Sequence, residues 1–96
     1  PLLIKPDMRL SGTLGNDQRN RCIARLDEQR QILDYKCATI DIRKDATLAD
    51  LYGRIATYRN WWMQFNDPAP LIVADMKLQT EQLEKDVKEY LETLNA

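Results

Sequence analysis

Two uninterrupted ladders of apolar side chains, spaced alternately by three and four residues, run through the C-terminal half of the sequence. This spacing places every member of a ladder on one side of an α-helix. The ladders therefore predict two amphipathic helices, each of which must bury one face. Their members are Leu48, Leu51, Ile55, Tyr58, Trp62 and Phe65 in the first, and Val73, Met76, Thr80, Leu83, Val87, Tyr90 and Leu94 in the second.

The two predicted helices are joined by Asp67-Pro68-Ala69-Pro70, a segment typical of the end of one helix and the start of the next. Asp67 can cap the second helix, and both prolines fit its first turn, where a missing N–H costs no helical hydrogen bond. Thr47 followed by Asp50 resembles a capping box, so we expect the first of these two helices to begin at Leu48. The C-terminal half is thus predicted to form a helical hairpin.

A weaker ladder upstream predicts another helix over about residues 16–40, with Asn16 or Asp17 as its N-cap. Arg30 occupies the seam position between two leucines, where an arginine can extend toward water or pair with a carboxylate. Three aspartates that recur every seven residues are most simply a solvated face. The ladder comprises Ile23, Leu26, Leu33, Cys37 and Ile40, and the aspartates are Asp27, Asp34 and Asp41.

The sequence as a whole predicts an all-α fold, with one helical domain over residues 16–96 and helices at about 16–40, 48–65 and 68–94. Three glycines in 96 residues fit this class better than a β fold rich in tight turns. Residues 1–15 place prolines and glycines around short apolar pieces, and we expect an extended N-terminal arm there. The architecture is then a three-helix bundle or a helical hairpin with an arm.

The C-terminal helix is predicted to be long and similar to a coiled coil. At 1.5 Å per residue it would extend about 40 Å, longer than the helix before it. Either the first helix covers the excess, or the end projects and pairs with another chain. Adjacent tryptophans point about 100° apart on a helix, so Trp62 can enter the core and leave Trp61 toward the flank. There Trp61 either anchors a partner or packs against the Pro68-Ala69-Pro70 elbow. The candidate interface residues are Trp61, Leu83, Val87, Tyr90, Leu91 and Leu94.

Three arginines, Arg19, Arg21 and Arg25, cluster near the start of the first predicted helix and could bind phosphate groups of a nucleic acid. Residues 1–60 hold eleven Lys/Arg and eight Asp/Glu, while residues 61–96 hold three and seven. Acidic residues interleave with the arginines, however, and no helix-turn-helix spacing is evident. Nucleic-acid contact is therefore the alternative hypothesis.

Catalytic and metal-binding chemistry finds little support in the sequence. The chain has no histidine, which removes the usual general base near neutral pH and the commonest transition-metal ligand. Cys22 and Cys37 are too few for a four-ligand zinc site and, about 22 Å apart on one helix, too distant for a disulfide. We therefore predict no enzymatic activity, no catalytic or metal-binding residues and no cofactor.

The apolar runs are far shorter than the roughly 20 residues of a membrane-spanning helix, and the N-terminal residues do not resemble a secretory signal. Together with two unpaired cysteines, this predicts a cytoplasmic, intracellular protein. We expect a protein-protein interaction and assembly module that forms homo-oligomers through amphipathic helices and contacts another protein. The alternative is a small nucleic-acid-associated regulator that dimerises through its C-terminal helix.

Overall fold

The computed structural model describes the backbone of residues 6–95, with side chains from residue 15 onward, and contains no β-strand within that range. The helices pack against one another as a three-helix bundle with dimensions of 57 × 24 × 18 Å. The all-α class is confirmed, and the bundle is the one of the two predicted architectures that forms. The elements are α1 (Pro6–Lys36), a short 3-10 helix (Ile42–Lys44), α2 (Ala46–Gln64) and α3 (Pro70–Leu94).

Helix α1 begins at Pro6, well before the predicted start near residue 16. The prediction of an extended arm is therefore wrong for residues 6–15, while residues 1–5 lie outside the described part of the chain. A proline is compatible with the first position of a helix because its missing N–H would have no helical partner there. Glycine lowers helix propensity by only about 1 kcal/mol relative to alanine, so two glycines do not prevent a long helix.

Gly15 is the point at which the connection between α2 and α3 packs against α1. A Cβ atom at this position would lie 2.8 Å from the carbonyl oxygen of Pro68, closer than side-chain carbons approach in real structures. One residue along, the Asn16 side chain accepts a hydrogen bond from the Asp67 N–H at 3.0 Å. The absence of a side chain at position 15 therefore allows the close approach of this backbone, and does not end the helix.

Asp67 does not cap α3, contrary to the prediction. The N-cap is Ala69, which provides no side-chain hydrogen bond, and Pro70 is the first helical residue. Asp67 instead adopts a left-handed backbone conformation with φ of 57°, which aspartate tolerates better than most residues. Asp67 thus turns the chain, and Pro70 starts the helix.

The predicted capping box at Thr47 is also wrong, because α2 begins earlier and uses a different cap. The Asp45 carboxylate accepts a hydrogen bond from the Leu48 N–H at 2.9 Å. Asp41 caps the preceding 3-10 helix in the same way, accepting from the Arg43 N–H at 3.0 Å. Two aspartate caps therefore define the connection between α1 and α2.

One contiguous core lies between the three helices. In α1, Gln29 takes the seam position between Leu26 and Leu33 and is 7% exposed, whereas Arg30 is exposed. The predicted placement of Arg30 in the seam is wrong, because the seam runs from Leu26 to Gln29, three residues on, and then to Leu33, four residues on. The buried apolar residues are Cys22, Leu26, Leu33, Cys37, Leu48, Leu51, Ile55, Trp62, Met76, Leu83, Val87 and Tyr90.

A polar chain inside the core links α2 and α3. The Trp62 indole N–H points to the Thr80 hydroxyl oxygen at 3.4 Å, and that hydroxyl donates to the Met76 carbonyl at 2.9 Å. Both Trp62 and Thr80 are completely buried. Because an unpaired buried polar group costs stability, these contacts favour one registry of α2 against α3.

The two thiols are free and buried, so the expectation that they form no disulfide within the chain is confirmed. Desolvation raises the pKa of both Cys22 and Cys37. Since the thiolate is the reactive form, burial and a raised pKa both lower their reactivity.

The aspartate face of α1 is not simply solvated, contrary to the prediction. The Arg59 guanidinium of α2 donates to Asp27 at 2.7 Å, and the Tyr52 hydroxyl donates to Asp34 at 2.6 Å. These carboxylates therefore lie along the rim between α1 and α2. Being partly exposed, such pairs add little free energy each but favour this packing arrangement.

Substitution of Gly15 by alanine should destabilise the bundle by about 1–3 kcal/mol, because the overpacking against a backbone carbonyl outweighs the better helix propensity. Gly53→Ala is the matched control, since no atom lies within 4 Å of a Cβ at that position in α2. The control should stabilise by about 0.5–1 kcal/mol. Urea denaturation measures both variants, and a Gly15→Ala protein as stable as the control would contradict the close approach.

Candidate interaction surface

The structure places most of the predicted interface residues of α3 inside the molecule. Leu83, Val87 and Tyr90 belong to the core, Leu91 is half-buried against it, and Leu94 is 42% exposed. Helix α1 packs against α3 and covers its apolar seam, so the excess length of α3 is accommodated within the chain. Contact of these residues with a second chain stays a prediction, but it is not needed to bury the seam.

The adjacent tryptophans divide between core and surface. Trp62 is completely buried, whereas Trp61 is 40% exposed. The Trp61 ring lies against Tyr58, with 5.8 Å between ring centroids and 36° between ring planes. Tyr58 thus supports the indole of Trp61 from one side and leaves part of it accessible, as an interface anchor requires.

Two leucines on α3 are more exposed than any predicted interface residue. Leu71 is 85% exposed and Leu78 is 65% exposed. They are seven residues apart, so both lie on one face of the helix, and the apolar ladder of α3 occupies the opposite face. Neither leucine belongs to the apolar ladder that predicts α3, and their seven-residue spacing outside that ladder is the signal in the sequence that could identify them.

The arginine cluster near the start of α1 is largely engaged within the chain. The Arg19 guanidinium donates to the Phe65 carbonyl, and its Nε is buried. Arg25 makes a two-pronged contact with Glu84 of α3, with its Nε 3.1 Å from a carboxylate oxygen. This hydrogen bonding is the main cause that raises the Arg25 pKa. Arg21 is exposed, so the three arginines do not form one free basic patch.

A polar groove lies between the start of α2 and the end of α3, with a volume of about 450 Å³. Two of its three carboxylates have partners, since Asp45 accepts from the Tyr90 hydroxyl at 2.6 Å and Asp86 pairs with Arg54 at 3.0 Å. The third, Glu89, is exposed. These contacts join the ends of α2 and α3. Within the described part of the chain, no three potential ligands of the His, Cys, Asp or Glu type come together as a metal site would require.

The hydrogen bond between Tyr90 and Asp45 changes the pKa of both groups. It is the largest cause that lowers the pKa of Asp45, followed by the bond from the Leu48 N–H. Desolvation and the same hydrogen bond raise the pKa of Tyr90 to about 12. The bond therefore favours an ionised Asp45 and a neutral tyrosine.

Comparison with protein-family models, with curated proteins and with solved structures returned no match to this chain. In addition, none of the helices across residues 6–95 is both long and apolar enough to cross a membrane. The functional conclusion therefore depends on the chemistry of the chain's own surface.

The Asp45→Asn variant should be less stable than the wild type at pH 7. Its stability should also fall less than that of the wild type when the pH is lowered to 3. Because the folded-state pKa of Asp45 lies below its ordinary value of 3.8, its ionised form stabilises the fold above that pH. This contribution disappears as the pH falls through the lower folded-state value. Urea midpoints at pH 7 and pH 3 measure the effect.

Asp17→Asn, at an exposed position of α1, is the control for this measurement. Tyr90→Phe keeps the ring and removes only the hydroxyl, so it should lower the urea midpoint at pH 7 in the same direction as Asp45→Asn. An Asp45→Asn protein with the wild-type drop in midpoint between pH 7 and pH 3 would contradict the assigned role of the carboxylate.

Proposed function

We propose that the protein is a non-enzymatic protein-protein interaction and assembly module that associates with itself. The observation that supports this best is the pair of leucines, Leu71 and Leu78, exposed on one face of α3 in a chain whose core is already complete. Trp61 adds a half-exposed aromatic side chain on α2. Apolar groups that share a face and are not used in folding favour contact with another protein.

The size of this apolar surface indicates a weak, reversible association. Burying an exposed leucine contributes about 1.5–3 kcal/mol, and association itself costs several kcal/mol in lost freedom of motion. Single exposed apolar residues are common on monomeric proteins, so the argument depends on two leucines sharing one face. We therefore expect a dimer that dissociates on dilution.

The chemistry of the remaining surface supports a binding role over catalysis or nucleic-acid recognition. The chain lacks histidine, and two of the three groove carboxylates, Asp45 and Asp86, are paired with Tyr90 and Arg54. Two of the three arginines considered for phosphate binding, Arg19 and Arg25, already bind Phe65 and Glu84. A cytoplasmic location is part of the same proposal, supported by the two free thiols.

The double variant Leu71→Ser, Leu78→Ser should weaken self-association at least about tenfold, because it removes both leucines exposed on this face of α3. Sedimentation equilibrium from micromolar to millimolar concentration, with reductant present, measures the dissociation constant. Tyr35→Ser is the matched control, since Tyr35 is 81% exposed on α1, away from the leucine pair in sequence.

The control should associate as tightly as the wild type, and all three proteins should keep the same helical circular-dichroism spectrum. A wild-type protein that stays monomeric up to millimolar concentration would overturn the proposal of self-association. Equal weakening by the Tyr35 control would show that the effect is not specific to the leucines.

A further inference from the structure

The outer face of α3 carries a second regular stripe, on the side of the helix opposite the core. Its residues are spaced alternately by four and three and are all exposed. We call them the outer stripe: Leu71, Asp75, Leu78, Gln82, Lys85 and Glu89. This spacing is that of a coiled-coil seam, and it extends over about 27 Å at 1.5 Å per residue. The stripe is therefore long enough to pack lengthwise against another helix.

The order of residues along the outer stripe is complementary to itself in the antiparallel direction. With a two-fold axis between Leu78 and Gln82, Asp75 faces the partner's Lys85, and Lys85 faces the partner's Asp75. Leu78 then faces the partner's Gln82 and lies next to the partner's Leu78 across the axis. Two opposite-charge pairs thus flank a small apolar centre.

A parallel arrangement would bring like charges together. Asp75 would face the partner's Asp75, and Glu89 would face the partner's Glu89. Like charges in direct opposition are unfavourable, and complementary charges suppress the wrong arrangement of two surfaces. Charge complementarity therefore selects a second copy in the antiparallel direction.

The stripe is free to make this contact in the single folded chain. Asp75 accepts a hydrogen bond from Gln79 of its own helix at 3.1 Å, which leaves it on the surface. No ion pair within the described part of the chain involves Lys85. The buried ladder of α3 faces α1 and α2, so pairing through the outer stripe leaves the bundle unchanged.

We infer that two copies of the chain associate through antiparallel packing of their outer stripes, with Asp75 of each chain paired to the partner subunit's Lys85. This inference rests on the proposed self-association and adds the surface, the direction and the register. In this register Leu78 lies beside its counterpart at the centre, whereas Leu71 at each end faces the partner's Glu89. The dimer therefore buries little apolar area and is weak and sensitive to salt.

A charge exchange tests the register directly. Asp75→Lys alone places two lysines in opposition, and Lys85→Asp alone places two aspartates in opposition, so each should raise the dissociation constant about tenfold. The double variant Asp75→Lys, Lys85→Asp restores both opposite-charge pairs. It should return the dissociation constant to within about twofold of the wild-type value.

Controls carry the same charge changes on other surfaces. The first control is Glu28→Lys, at an exposed position of α1. The second is Lys88→Asp, at an exposed position of α3 outside the outer stripe. Both should associate as the wild type does. Sedimentation equilibrium at low ionic strength up to millimolar concentration measures all variants, and circular dichroism confirms that each one is folded.

The possible outcomes separate this inference from the proposed function. Weakening by each single variant and restoration by the double variant supports the antiparallel register. A wild-type dimer that is unaffected by either single variant overturns the register but leaves self-association standing. A double variant no tighter than the singles also overturns the register. A wild-type monomer at every concentration overturns both ideas.

Discussion

The packing of the α2–α3 connection onto α1 at Gly15 is the contact on which the bundle depends. A Cβ atom at position 15 would lie only 2.8 Å from the Pro68 carbonyl oxygen, and the Asn16 side chain accepts a hydrogen bond from the Asp67 N–H. This contact sets the axial position of α1 relative to the hairpin of α2 and α3. Because α1 is then held alongside α3, its seam meets the ladders of both other helices.

Completion of the core within one chain determines which surface is left for function. The longest apolar ladder of α3 is the feature that most suggests assembly from the sequence, yet it is buried against the chain's own helices. The apolar residues that remain accessible lie elsewhere, and among them Leu71 and Leu78 share one face of α3. Any partner must therefore bind the outside of a finished bundle, which explains why we expect modest affinity.

The sequence predicts the helices well because strong 3-4 ladders report directly on buried faces, as for Leu51, Ile55 and Trp62 in α2. It fails where tertiary contacts override local signals. From the sequence, Gly15 suggests the end of a helix or an irregular segment. In the structure it lies within α1 and allows the close approach of the Pro68 carbonyl. The seam of α1 is displaced by one residue, from Arg30 to Gln29, because a polar residue interrupts the ladder and either register fits the sequence.

The candidate surface is harder to predict than the fold for a related reason. Seven-residue spacing places Leu71 and Leu78 on one face of α3, but their exposure depends on which faces of the helix α1 and α2 cover, and tertiary packing decides that. Likewise, the arginines of α1 resemble a phosphate site until Glu84 and the Phe65 carbonyl are placed beside them. Long-range pairing thus decides which charges are free to bind a partner.

Small-angle X-ray scattering, extrapolated to zero concentration, tests most directly whether one chain completes its own bundle. The structure predicts the mass of a single chain, a radius of gyration slightly above the Cα value of 16.3 Å, and a maximum dimension near 57 Å. A much larger radius at the mass of a single chain would show that α1 is not packed on the hairpin, and this result would contradict the intramolecular core.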